Sequence, residues 1–222
     1  MANVTAMLAD YEAARYRAYC WRRERSVAVK LLLALGIAGL TGLMAQVRIV
    51  LPFTDIPVTG QTFPVLLAGV LLGGGFGALS QALYVAIGAA GVPWFNGMAG
   101  GPAVLLGPTA GYLVGFVLVA AVVGLVNDRW PSARVLRFQL PLMAFGSALI
   151  LLCGWLHLAF VLGRGPAAAF LVGVAPFLAG DPVKAVAAAC IASAVLPRSR
   201  GKARERSRGD SERSSSTGKC PS

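Results

Sequence analysis

Apolar residues fill the middle of the chain in long runs, broken only by Gly, Pro and short polar turns. The first run, Val27–Val47, has 21 residues, and a helix needs roughly 20 to cross a bilayer core. It predicts a retained first spanning helix. Two shorter runs follow, Gln61–Gly73 and Phe76–Gly91, joined by Gly73-Gly74-Gly75. They predict a helical hairpin, because short Gly-interrupted helices are tolerated where they pack on protein or border a cavity. Thr109–Val126 and Phe138–Leu162 predict helices four and five. Ala167–Ala179, interrupted by Pro176, leads into Pro182–Leu196, which predicts helix six.

The pattern therefore predicts an all-α integral membrane protein with six transmembrane helices. Residues 27–197 form the membrane domain. Residues 1–26 are a basic N-terminal segment, with Arg15, Arg17, Arg22, Arg23 and Arg25 among Tyr11, Tyr16, Tyr19 and Trp21. Such a mixture suits an interfacial helix, with Arg heads at phosphates and rings at headgroup depth. Residues 198–222 are rich in Arg and Ser with almost no apolar side chains, a composition that predicts disorder.

Charge supplies the orientation. Only 13% of the 222 residues are charged, against about 25% in a soluble domain. Six Lys/Arg precede Leu31, three lie in Asn127–Arg137 and eight follow Pro197; the opposite loops hold only Arg48 and Arg164. That bias places both termini in the cytoplasm, in a multi-pass protein of the plasma membrane. The net charge of +11 resides in the tails. Beside a bilayer it points to anionic lipid and not to nucleic acid. The four cysteines, Cys20, Cys153, Cys190 and Cys220, form no CxxC pair, so neither a metal site nor a disulfide is expected.

The orientation gathers three segments at the outer side. Arg48–Gly60 is an apolar loop with Pro52 and Pro57, able to fold back as a lid. Val92–Pro108 is uncharged, Gly-rich and aromatic, with Pro93-Trp94-Phe95-Asn96-Gly97 at its start. It can bring backbone and rings close to a small molecule. The third is Gly180-Asp181-Pro182-Val183-Lys184, an acid and a base three residues apart within an apolar region. Asp181 is expected to cap helix six with Pro182 at the first helical position. It is also expected to form, with Lys184, the polar part of a buried ligand pocket. Trp94, Phe95, Tyr84 and Tyr112 are candidates for its apolar wall, and Asn96 for a further polar contact. His157, the only histidine, is expected as a hydrogen-bonded structural residue. Ala34, Ala38 and Gly42, each four apart, make a smooth face on helix one for close helix packing.

Several spaced motifs resemble the BioY family, the biotin-binding S components of energy-coupling-factor (ECF) transporters. They are Pro57-Val58-Thr59-Gly60-Gln61-Thr62-Phe63 with Leu66-Leu67-Ala68-Gly69, Gly77-Ala78-Leu79-Ser80-Gln81, Tyr84, and Gly91-Val92-Pro93. Further along come Gly107-Pro108-Thr109-Ala110-Gly111-Tyr112 and Pro176-Phe177-Leu178-Ala179-Gly180-Asp181-Pro182-Val183-Lys184. The resemblance covers roughly Leu31 to Leu196 and implies a six-helix S-component-like fold that captures biotin. It implies partners as well: a transmembrane coupling protein, met through Ala34 and Ala38, and two cytoplasmic ATPases. It maps ligand contacts onto Asp181, Lys184 and Asn96. The chain departs from the family pattern at Gly73-Gly74-Gly75, where a basic residue is expected, and at Pro108, where some relatives carry one.

No cofactor, metal or catalytic residue is expected. An intramembrane enzyme is disfavoured, since HExxH and GxSxG are absent and the lone His has no acidic neighbour in sequence. An S component for another small vitamin, or a structural or channel-like oligomer, remains as an alternative.

Overall fold

The computed structural model describes residues 2–54 and 56–197. The reading of the tail from residue 198 onward lies outside these. Among the described residues the chain is almost entirely helical. Helix α1, Ala2–Glu24, precedes α2, Val27–Gln46. A short ribbon pairs β1, Arg48–Ile49, antiparallel with β2, Val58–Thr59. Then come α3, Thr62–Ala89, and α4, Ala110–Arg129, separated by 3-10 turns at Asn96–Met98 and Pro102–Leu106. Helix α5, Leu136–Leu156, runs into a π turn at His157–Val161. Helix α6, Pro166–Gly173, continues through a 3-10 turn, Ala175–Leu178, to α7, Asp181–Val195.

Val27–Gln46, Thr62–Ala89, Ala110–Arg129 and Leu136–Val161 are each long and apolar enough to cross a membrane. The pair Pro166–Leu178 and Asp181–Val195, bent by 49°, adds a fifth if it counts as one span. Large apolar side chains such as Leu32, Leu43, Val114, Leu125, Phe145 and Leu171 point outward. Helices apolar on every face belong in lipid, and the chain is a multi-pass membrane protein.

Helix α3 is a hairpin. Gly73 interrupts it at φ 81, ψ 174, a conformation that glycine reaches at little cost. In a straight helix Gln61 and Tyr84 would lie about 35 Å apart, at 1.5 Å per residue. Instead Gln61 Nε2 donates to the Tyr84 hydroxyl at 2.8 Å. Gly77 packs on Ala68 and Gly69, where an added Cβ would lie 2.9 Å from Gly69 Cα. Each limb is shorter than a full crossing, so length alone does not settle the number of spans.

The turn lies beside Lys30 and Asp128, and its open backbone group has a partner. The Gly74 N–H donates to Asp128 Oδ2, at the end of α4, at 3.0 Å. An unmet N–H in hydrocarbon would cost several kcal/mol. Helix α4 reaches the turn through glycine: a Cβ on Gly124 would lie 2.4 Å from Gly74 N.

The face Ala34, Ala38 and Gly42 turns inward, against the chain's own packing. Ala34 and Ala38 are fully buried within the chain's own packing. Gly42 forms a notch for Trp94, whose Cβ would stand 3.1 Å from a Cβ added there. The same stripe bears Thr41, which bonds Gln81 of the hairpin at 3.4 Å. Small residues let backbones approach, and here the approaching partner is the chain itself.

At the end of the bundle away from the ribbon, polar groups are tied together. Gln139 Nε2 donates to Asn127 Oδ1 at 2.5 Å and to Ala133 O at 2.7 Å. Arg134, which is buried, donates to Asn127 O at 2.8 Å and to the Tyr19 hydroxyl at 3.0 Å. Helix α1 joins this knot: Tyr11 donates to Ala194 O at 2.7 Å, and Arg15 donates to Ser193 O and Leu196 O. Arg15 thus satisfies carbonyls left open at the C-terminal end of α7.

Gly124→Val places a branched side chain against the Gly73–Gly74 backbone. Overpacking of this kind costs about 1–3 kcal/mol. The thermal midpoint of the detergent-solubilised variant is expected to fall, and an unchanged midpoint would show that this contact does not support the hairpin.

Candidate functional site

The polar pair at the start of α7 sits where the broken helix bends. Gly180 is the N-cap residue, Asp181 the first residue of the helix and Pro182 the second. No side chain caps this end. Asp181 as a helix cap is therefore corrected: one position further in, its carboxylate is free for other partners. It is only 3% exposed. Asp181 Oδ1 accepts from Lys184 Nζ at 2.8 Å. The same ammonium donates to Thr59 O, on β2, at 2.6 Å. Asp181 Oδ2 is buried and makes no hydrogen bond within 3.5 Å, with the Thr62 side chain close beside the carboxylate.

Asp181 is one of the residues lining a cavity between the ribbon, α3, α4, α5 and α7. Its empty space, mouth and adjoining solvent included, is about 540 Å³. One wall is apolar, from Phe95, Tyr112, Phe116, Ile150, Leu151 and Phe177. The polar lining comes from Thr59, Gln61, Thr62, Asn96, Thr109 and Asp181, with Tyr84 between the two regions. Asn96, also in the lining, has a buried Oδ1 that makes no hydrogen bond.

The aromatic groups are held in fixed orientations. Tyr84 meets Phe95 edge-on, with ring centroids 5.3 Å apart, and lies 5.4 Å from Trp94. Its hydroxyl belongs to a chain in which Thr59 Oγ1 donates to Gln61 Oε1 at 2.9 Å and Gln61 Nε2 donates to Tyr84. Tyr112 stacks on Phe177 at 5.9 Å, and its hydroxyl donates to Gly173 O at 2.7 Å. Both tyrosine hydroxyls are thus engaged. Gly154 makes room for the Tyr112 ring, and Gly88 for Phe95.

Five of the seven expected ligand-site residues line the cavity: Asp181, Asn96, Phe95, Tyr84 and Tyr112. The other two do not. Lys184 is absent from the lining and ties Asp181 to the ribbon through Thr59 O. Trp94 sits in the Gly42 notch outside the cavity, with Nε1 donating to Tyr84 O at 3.0 Å. It braces the Tyr84 helix and is no part of the wall. His157 Nε2 lies 3.1 Å from Gly107 O, holding the corner that leads to Thr109.

Thr59, Gln61, Thr62, Thr109 and Phe116 were not expected here. The four polar residues stand inside the motifs quoted above, and Phe116 lies four residues after Tyr112, on the same helix face. Those spacings were the available signals. The hairpin that brings Gln61 back to Tyr84 was not legible as a contact.

An apolar helical bundle crossing the membrane, enclosing one small-molecule cavity with two unpartnered acceptors, defines the class: a polytopic membrane protein built to hold a small ligand. Residues 18–201 match the model of the BioY family, and the chain belongs to that family. It is 42% identical, over 60% of its own length and 88% of the relative's, to a probable biotin transporter BioY of Methanothermobacter thermautotrophicus. It is 36% identical, over 66% and 81%, to the biotin transporter BioY of Rhizobium etli. Its fold is that of a crystal structure of the S-component for biotin from an ECF-type ABC transporter, with a TM-score of 0.67, 22% identity and coverage of 75% of this chain and 89% of that one.

Lys184→Met leaves the buried Asp181 carboxylate without its counter-charge. Breaking a buried pair from one side costs about 3–5 kcal/mol. A large drop in thermal midpoint is expected. Asp181→Asn combined with Lys184→Met should lose less than the sum of the two single losses, and strict additivity would rule out the pairing as the reason.

Proposed function

We propose that the cavity binds biotin and that the chain is the biotin-capturing component of an ECF-type uptake system. The observation that carries this reading is the pair of unpartnered buried acceptors, Asp181 Oδ2 and Asn96 Oδ1, beside an aromatic wall. Biotin offers a ureido group with two N–H donors, an apolar bicycle and a carboxylate tail. Leaving a buried acceptor unmet costs about 1–3 kcal/mol, and two donors answer two acceptors. The rings of Phe95, Tyr112 and Phe177 would cover the bicycle. The Thr62 and Thr109 hydroxyls can turn to donate. Among the described residues no Lys or Arg lines the cavity, so the tail is directed away from Asp181, which repels it. The names of the relatives support biotin as the ligand, and the family supports uptake as the role.

The partners would be a transmembrane coupling protein and two cytoplasmic ATPases. On α2 the face open to a partner carries Gly36 and Gly39, around which an added Cβ would meet nothing within 4 Å. Counting the limbs of α3 separately and the bent α6–α7 pair as one gives six segments. Together with the Lys/Arg bias this supports six crossings with both termini cytoplasmic. Leu106→Cys in a cysteine-free background should then react with a membrane-impermeant maleimide on intact cells. Ser132→Cys should react only after permeabilisation. The reverse pattern would invert the topology.

A second vitamin reading has one observation in its favour. An anionic Asp181 would also attract a cation such as thiamine. Calorimetric titration of the purified protein with biotin, thiamine and riboflavin separates them. Tight binding of biotin alone is expected. Asp181→Asn should weaken it about 10- to 100-fold, since a hydrogen bond to a charged group is worth about 1.5–3 kcal/mol. Wild-type affinity in that variant would take Asp181 out of the site.

A further inference from the structure

The turn that carries Asn96 is gripped from outside the cavity by one side chain. Phe95-Asn96-Gly97-Met98 turns through the left-handed region, with Gly97 at φ 72, ψ 30 and Met98 at φ 60. Met98 is the only non-glycine residue with positive φ among the described residues, a conformation that needs external support. Phe95 N–H closes the turn on Ala99 O at 3.0 Å.

Gln46, in the last turn of α2, lies across it. Its Nε2 donates to Phe95 O at 3.0 Å and to Trp94 O at 3.2 Å. The same nitrogen is 3.2 Å from Gly42 O on its own helix. Its Oε1 accepts from the Met98 N–H at 3.1 Å. One primary amide therefore bonds backbone groups on both sides of Asn96. Two carbonyls on one side and an N–H on the other also fix which way the amide faces. A carboxylate or an apolar side chain lacks the donors, and a hydroxyl has only one for the two carbonyls. The setting is built around the grip: Trp94 seats in the Gly42 notch, and the Arg48 guanidinium covers Gly97 so closely that a Cβ would lie 2.6 Å from Nη1.

We propose that Gln46 is the positioning residue for Asn96: its amide holds the strained turn so that Asn96, whose Oδ1 is buried without a partner, stays in the cavity lining to meet a donor on the ligand. Gln46 itself is absent from the cavity lining. Its effect on affinity passes through the turn, and that part of the inference rests on Asn96 being a biotin contact.

Two measurements test it. In ligand-free protein, backbone hydrogen exchange across residues 94–99 should quicken at least about tenfold in Gln46→Leu, as a hydrogen-bonded N–H is released. Unchanged exchange overturns the clamp whatever the ligand is. In titrations, Gln46→Leu should weaken biotin binding about tenfold in the wild-type background and less than about twofold in Asn96→Ala. Equal losses in both backgrounds mean that Gln46 does not act through Asn96, and overturn the proposal. Gln46→Glu keeps the shape and loses the donors, and it replaces Gln46→Leu if that variant fails to insert. If wild-type protein does not bind biotin, the proposed function falls and the exchange experiment alone decides the clamp.

Discussion

The division of the Asp181 carboxylate governs much of the molecule. One oxygen is neutralised by Lys184, and the other is buried without a hydrogen bond in a residue that lines the cavity. A charge placed among apolar helices is costly unless it is paired and hydrogen-bonded. Lys184 supplies the pairing from one turn along α7 and uses its second donor on Thr59 O. The ribbon that closes the cavity is therefore anchored by the same ammonium that neutralises the acid. The bend before α7 serves the same end, because it brings the first residue of the helix, and not a solvated cap, to the cavity wall.

Glycine makes the remaining geometry available. The hairpin of α3 can turn because Gly73 takes a positive φ and Asp128 receives the Gly74 N–H that the turn exposes. Helix α4 can reach that turn because Gly124 has no Cβ. Gly154 and Gly88 admit the rings of Tyr112 and Phe95, and those rings become cavity wall instead of lipid-facing surface. Close backbone approach in one layer thus creates space in the next.

Hydropathy located α2, α4 and α5 within a few residues, because unbroken apolar length is read directly by a bilayer. Gly73-Gly74-Gly75 also announced the hairpin. What hydropathy could not supply was direction. The Ala34-Ala38-Gly42 stripe says that something packs closely, but not what, and here it is Thr41 to Gln81 and Trp94 to Gly42 that show the chain packing on itself. The i, i+3 spacing of Asp181 and Lys184 foretold their pairing but not which of them faces the cavity. Trp94 and Phe95 are adjacent and chemically alike, yet the turn sends one out to α2 and the other inward. Counting basic residues had a similar blind spot, since Arg15 and Arg134 spend their donors on buried carbonyls and not on lipid.

The inventory of free groups says what kind of ligand suits this cavity. Gln61 and both tyrosines spend their hydrogen-bonding groups on one another or on backbone. The fixed polar groups left open are two acceptors, and the threonine hydroxyls can adapt to either role. A ligand with acceptors at the head would face two like lone-pair groups and leave both unmet, whereas a missing methylene elsewhere costs little. Sites of this kind reject by what they leave unpaired more strongly than they select by fit. Under the proposed function, recognition of the ureido head is therefore sharp and that of the tail loose. This follows from the fixed direction of two oxygens, one set by Lys184 and the other by the turn that Gln46 grips.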